Sequence, residues 1–164
     1  MESHSILRQD KGFTLVEILI AIGILAILGA LGLFISFDFY KSYAFSTEKN
    51  IAISVLQRVR NQSVNNINET RHGVYFSSSN QYIMFQCPDN APCDDYADAD
   101  TSKNIVIEPS YGISITGVPF YIIFDQLNGD CITCPSYPSN TIVGINYESK
   151  HYDILINEEG RISW

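Results

Sequence analysis

The sequence predicts an α+β protein: a long N-terminal transmembrane α-helix packed on an antiparallel β-rich C-terminal domain. Three observations predict this. Residues 18–37 contain no ionisable side chain. Ile51, Ala52, Val55, Leu56 and Val59 then recur at helical spacing, with Asn50, Gln57, Arg58 and Asn61 on the opposite face. From Arg71 onward the apolar period becomes two, as expected for strands with one face buried.

The uncharged run is mostly Ile, Leu, Ala and Gly. Its twenty residues cover about 30 Å as a helix, one hydrocarbon thickness. A soluble core helix of that length shows a polar face, and this run shows none. Gly23, Gly29 and Gly32 permit close helix packing, although glycine is also common in membrane helices. A cleaved secretory signal has a shorter apolar core that ends at a small-residue site. Here the order is reversed: Gly12 precedes the run.

The order Lys11-Gly12 followed by Phe13-Thr14-Leu15-Val16-Glu17 resembles the type IV prepilin and pseudopilin signature, over Lys11 through about Ile35. The resemblance implies a leader of residues 1–12, cut after Gly12 on the cytoplasmic side by a membrane aspartyl peptidase, the prepilin peptidase. That enzyme then methylates the new amino terminus on Phe13. Glycine suits a cleavage site because it offers no side chain to obstruct a protease gripping the backbone. The leader carries Arg8, Lys11, Glu2 and Asp10, so its removal leaves the net charge at −8 and its positive-inside bias is weak.

Glu17 sits inside the apolar run, where a carboxylate costs up to about 2.5–3.5 kcal/mol at the centre of a bilayer and less near the edge. In the family, the compensating partner is the positive amino terminus of a neighbouring subunit, here the amine of Phe13. The resemblance therefore assigns Glu17 to subunit assembly, since a misplaced subunit leaves both charges unpaired. Snorkelling to the interface is the simpler reading of the same residue. Many pilins kink this helix with proline, whereas residue 34 here is phenylalanine.

The expected organisation is leader 1–12, a membrane or filament-core helix 13–37, its amphipathic continuation 38–67, and an antiparallel β domain 68–164. The helix should end in the run Asn65-Asn66-Ile67-Asn68. "HGVYFSSSNQYIMFQ" reads as a hairpin turning near Ser78-Ser79-Asn80. Further strands are expected at 105–108, 112–116, 120–124, 141–147, 152–156 and 161–164, with turns at Asn128-Gly129 and Glu159-Gly160.

"FYIIFDQLNGD" and the ending "YDILINEEGRISW" resemble the GspH/FimT branch of minor pilins and pseudopilins, whose last hairpin commonly closes on a Gly-Arg pair, here Gly160-Arg161. Some members of that branch bind DNA through basic residues near the C-terminus. Arg161 stands beside Glu158 and Glu159, and from Asn68 onward 13 acids face four bases. With a net charge of −8 and a pI near 4.7, generic attraction to phosphate is disfavoured, and no nucleic acid partner is expected.

Cys87, Cys93, Cys131 and Cys134 all fall in the exported half. An even count in an oxidising compartment argues for disulfides. Three pairings are possible, and the local ones, Cys87–Cys93 and Cys131–Cys134, are favoured. The rivals are a four-thiolate zinc site, because "CITC" has ligand spacing, and a redox-active C-x-x-C. The latter needs a helix N-terminus, whereas Pro135 and Pro138 suggest a loop. Asp94, Asp95, Asp98 and Asp100 could converge on calcium, but no EF-hand spacing is present, and a solvated acidic loop is the simpler reading.

His72, His151 and Asp153 invite comparison with a catalytic triad. Both histidines fall at expected strand edges, where an exposed histidine is ordinary. No nucleophile elbow, HExxH, P-loop or dinucleotide fingerprint occurs, so no catalytic residue, metal or cofactor is assigned. The expected function is a structural minor pseudopilin of type II secretion. The alternative is a minor type IV pilin acting in pilus biogenesis, adhesion or DNA uptake. Either is a single-pass inner-membrane protein with its C-terminal domain outside the cytoplasm, later assembled with other pilins.

Overall fold

The computed structural model describes residues 12–88, 93–134 and 141–164, apart from the side chains of 34–36. Residues 1–11, expected in a leader, and Pro135 and Pro138, expected in a loop, lie outside the described residues. The chain divides into two compact units, Met1–Ser42 and Tyr43–Trp164. Helix α1 (Leu15–Val64) is followed by eight strands: β1 (His72–Phe76), β2 (Tyr82–Gln86), β3 (Ile105–Ile107), β4 (Ile113–Ile115), β5 (Phe120–Phe124), β6 (Thr141–Tyr147), β7 (Lys150–Ile156) and β8 (Ile162–Ser163). This α+β order matches the pilin fold. The helix continues unbroken through residue 34, where many pilins carry the kinking proline.

The strands form two antiparallel sheets, one in the order β3-β2-β1-β5 and the other β4-β6-β7-β8. The second half of α1 supplies Ala52, Val55, Leu56 and Val59 to the core. Opposite them lie Val74, Phe76, Met84, Ile122 and Phe124 from the first sheet, and Ile115, Val143, Ile145, Ile154 and Ile156 from the second. Leu56 and Val59 expose no surface. The first sheet is covered on its other face too, where Phe85 and Ile123 pack with Cys87, Cys93, Tyr75, Tyr96 and Tyr121. With both faces covered, β5 reads Phe-Tyr-Ile-Ile-Phe rather than alternating with polar residues.

The β1–β2 hairpin turns where expected: Asn80 donates to the Ser77 carbonyl at 2.9 Å and adopts a left-handed conformation, which asparagine tolerates. The Asn80 side chain also accepts from the Ile115 amide at 3.1 Å, tying this turn to the second sheet. At the far end of α1, buried Ser63 donates to the Phe124 carbonyl at 3.0 Å and accepts from the His72 amide at 2.9 Å. Arg60 donates to the carbonyls of Gly129 and Glu159 at 3.2 and 3.3 Å, so one guanidinium joins both expected Gly-containing turns. Gly160 has φ +67, and a Cβ there would come 2.0 Å from the Gly129 carbonyl oxygen. Only glycine fits that approach.

Polar side chains are also buried in this unit, and one of them, His72, was expected to be exposed. His72 is 4% exposed on β1, an interior strand of its sheet, not an exposed residue at a strand edge. Alternation places it on the face of Val74 and Phe76, while the pairing with β5, some fifty positions further along the chain, makes β1 an interior strand. Glu48 is fully buried and accepts from the Ser110 amide at 2.9 Å. Burial first, and then the nearby Glu48 carboxylate, push the Tyr82 hydroxyl well above the usual tyrosine range.

Burial also holds His72 below the usual histidine value, partly offset by a hydrogen bond to the Thr70 backbone. The unfolded chain binds this proton more readily, with a pKa of about 6.5. The His72 contribution to stability is therefore complete above that pH and is lost as pH falls below it. Urea melts at pH 7.5 and 5.5 should show a smaller acid-induced loss for His72→Gln than for the unsubstituted protein. Equal losses would contradict this assignment.

Candidate functional site: the amino-terminal helix start

Around the start of α1, Thr14 and Glu17 form a reciprocal cap. The Thr14 amide and hydroxyl both donate to Glu17 Oε2 at 2.9 Å, and the Glu17 amide donates to Thr14 Oγ1 at 3.3 Å. This is a capping box, with threonine preceding the first helical turn and glutamate three residues on. The T-x-x-E spacing is itself a readable signal of such a cap. Within the single chain, Glu17 thus satisfies backbone and hydroxyl donors that the start of a helix leaves without partners. Phe13 is 83% exposed beside it, and a Cβ at Gly12 would meet nothing within 4 Å.

Beyond Glu17 the helix exposes Ile18, Leu19, Ile20, Ile22, Ile24 and Leu25. An 18-residue window has a mean hydropathy of 2.9, and none of it is buried by the chain's own fold. A soluble core helix would bury such a surface, so this one fits a single-pass membrane anchor. Phe37, Phe39, Tyr40 and Tyr43 are all exposed immediately after it. The amphipathic rings of Tyr40 and Tyr43 are of the kind that favours a membrane–water interface, a further signal that the sequence carries.

The four sulfurs are joined as Cys87–Cys93 and Cys131–Cys134, with Cα atoms 5.7 and 5.3 Å apart. They are therefore not thiolates for zinc. The "CITC" segment lies along β5: the Ile132 amide donates to the Ile123 carbonyl at 2.9 Å, and the Ile123 amide donates to Thr133 Oγ1 at 3.2 Å. It is not at a helix N-terminus, so the feature that acidifies a redox thiol is missing there.

The acidic loop uses its carboxylates separately. Asp94 pairs with Arg71 at 3.1 Å, while Asp95 and Asp100 cap two 3₁₀ turns through the amides of Ala97 and Ser102. The Ser102 hydroxyl first, with Lys103 assisting, holds the Asp100 carboxyl below the usual range. Among the described residues, no three His, Cys, Asp or Glu side chains form a metal-binding group.

His151 and Asp153 do meet, at 2.7 Å from Nε2 to Oδ1. The other ring nitrogen lies 2.5 Å from Asn146 Oδ1, and Asn146 donates to Thr116 Oγ1 at 2.8 Å. Both ring nitrogens are engaged, so neither is placed to take a proton from a nucleophile, and His72 is buried elsewhere.

The long helix and the two antiparallel sheets define a pilin-type architecture. Residues 7–33 match the prokaryotic N-terminal methylation motif, the type IV pilin signal, and the chain is consistent with a type IV pilin-like protein. Neither a curated protein nor a solved structure gives a significant match. The motif implies processing by prepilin peptidase and assembly with other pilins.

The disulfide assignment has a direct chemical test. Alkylation of the denatured, unreduced protein should label none of the four cysteines. Cys87→Ser with Cys93→Ser should lower stability by about 2 kcal/mol in urea, the loop-closure contribution of so short a loop. Four labelled cysteines in the unsubstituted protein would refute the pairing.

Proposed function

We propose that this chain is a minor pseudopilin of the GspH/FimT type, cut after Gly12, methylated on Phe13 and assembled through its N-terminal helix into a type II secretion pseudopilus. The observation that carries this reading is the methylation motif at residues 7–33, which includes Gly12, Phe13 and Glu17 and leads into an exposed apolar span. The proposed domains are the leader 1–12, the filament-core helix 13–37, its amphipathic continuation 38–67 and the β domain 68–164. Glu17 would exchange its Thr14 cap for the amine of a neighbour's Phe13 in a low-dielectric filament core. The C-terminal domain would lie outside the cytoplasm, first at the inner membrane and then on the filament surface.

Processing is tested by intact mass. Cleavage should leave 152 residues, 164 less the twelve of the leader, starting at methylated Phe13. Recovery of only the full precursor from a strain with active prepilin peptidase would contradict the reading.

Assembly is tested with two substitutions, because Glu17 has both a capping and a pairing role. Glu17→Gln keeps a residue that can complete a capping box but removes the charge. Glu17→Val removes both. If the charge pairs with a neighbour, both variants should insert and be processed, yet both should be lost from sheared filaments, since stranding one member of a buried pair costs about 3–5 kcal/mol. Normal recovery of the Gln variant would mean that Glu17 serves only as a cap.

A further inference from the structure

Asn128 and Gly129 form the chain's one Asn-Gly pair, in the turn that follows β5. Asparagine is a thermolabile residue, and a following glycine makes it more so. Glycine has no side chain to shield its backbone nitrogen, so that nitrogen can attack the asparagine side-chain carbonyl and close a five-membered succinimide ring. Asn128 is exposed to the water that opens such a ring.

Ring closure requires the Gly129 nitrogen to give up its proton and the Asn128 amide to rotate. The fold opposes both. The Gly129 amide donates to the Asp125 carbonyl at 3.1 Å. Asn128 Oδ1 accepts from the Asp130 amide at 3.1 Å, and Asn128 Nδ2 donates to Asp130 Oδ2 at 2.9 Å. The backbone between them is enclosed as well. Arg60 Nε donates to the Gly129 carbonyl at 3.2 Å. A Cβ on Gly129 would come 2.5 Å from Val64 Cγ2, and one on Gly160 would come 2.0 Å from the Gly129 carbonyl oxygen.

We propose that Asn128 is a conformationally gated deamidation site, protected while this turn is folded and modified once it opens, after which the turn cannot re-form. A bond forms from the Gly129 nitrogen to Asn128 Cγ, and the Cγ–Nδ2 bond breaks. The amide proton reaches Nδ2 by way of water, and ammonia leaves. Water then opens the ring at either carbonyl. One product carries a carboxylate in place of the side-chain amide, so a 2.9 Å hydrogen bond to Asp130 becomes a like-charge contact. The other adds a methylene to the main chain, in a turn that Arg60, Val64 and Gly160 enclose. No part of this inference depends on the filament reading, because the turn lies wholly within the unit Tyr43–Trp164.

The test compares the full chain in detergent micelles with a capped peptide of residues 127–130, both at mildly alkaline pH. Peptide mapping by mass spectrometry reads loss of the Asn128 amide. The folded chain should react about tenfold more slowly than the peptide, the factor that one or two hydrogen bonds impose, and the chain in urea should match the peptide. Asp130→Ala, at an exposed position, removes the acceptor for Nδ2 and should speed the folded chain's reaction about threefold. After complete reaction in urea and removal of the denaturant, the Gly129 amide should stay unprotected from hydrogen exchange, whereas a chain unfolded only briefly should regain that protection. Equal rates for the folded chain and the peptide, an unchanged rate in Asp130→Ala, or recovered protection after reaction would overturn the proposal.

Discussion

Along its second half, α1 has one apolar stripe that two separate sheets cover together, and the rest of the C-terminal unit depends on that shared burial. Leu56 and Val59 have no exposed surface, and residues from both sheets surround the same stripe. Fully burying a side chain of this kind contributes about 1.5–3 kcal/mol, against about 1–2 kcal/mol for ordering each backbone residue. A few such contacts cannot hold a domain, so the helix must engage both sheets at once. The polar contacts at its end then fix the register. Ser63 ties it to β1 and β5, and Arg60 ties it to the turns before Cys131 and before β8.

The first unit follows a different rule. From Ile18 to Leu33 its large apolar side chains are exposed, a surface stable only where water is absent. A carboxylate in such a setting needs donors, and Thr14 supplies two of them to Glu17. The same arrangement makes the start of the helix compact and self-satisfied in the lone chain. A neighbouring amine would have to compete with hydrogen bonds already made, which couples subunit pairing to a local rearrangement at the cap.

The acidic segment after Cys93 shows how composition alone misleads about chemistry. Four aspartates in eight residues suggest a cation site, yet the backbone and Arg71 take up three of them. Their purpose in the fold is to shape the loop over the outer face of the first sheet. Tyr96 stacks on Tyr75 at 4.0 Å between ring centroids and meets Phe85 edge-on at 5.1 Å. The Cys87–Cys93 bridge closes the base of the same loop, so a cover of mostly polar sequence shields an apolar sheet face.

The sequence by itself determined what depends on near neighbours along the chain. The helix follows from composition and spacing, and its end near Asn65 and Asn66 from turn chemistry. The hairpin around Asn80 and the strand 141–147 follow from period-two patterning. The segment carrying Gly12, Phe13 and Glu17 was legible because its chemistry lies within a few consecutive residues, and the Thr14–Glu17 cap is readable there as well. The tertiary structure alone decided which strands lie side by side, and hence which polar residues are buried. His72, expected to be exposed, is buried, and so are Gln86 and Glu48. They are buried because β1 lies between β2 and β5, and because Ser110, 62 positions from Glu48, folds onto its carboxylate. Local periodicity gives the face on which His72 and Gln86 lie, but the distant pairings that enclose that face are not written in it.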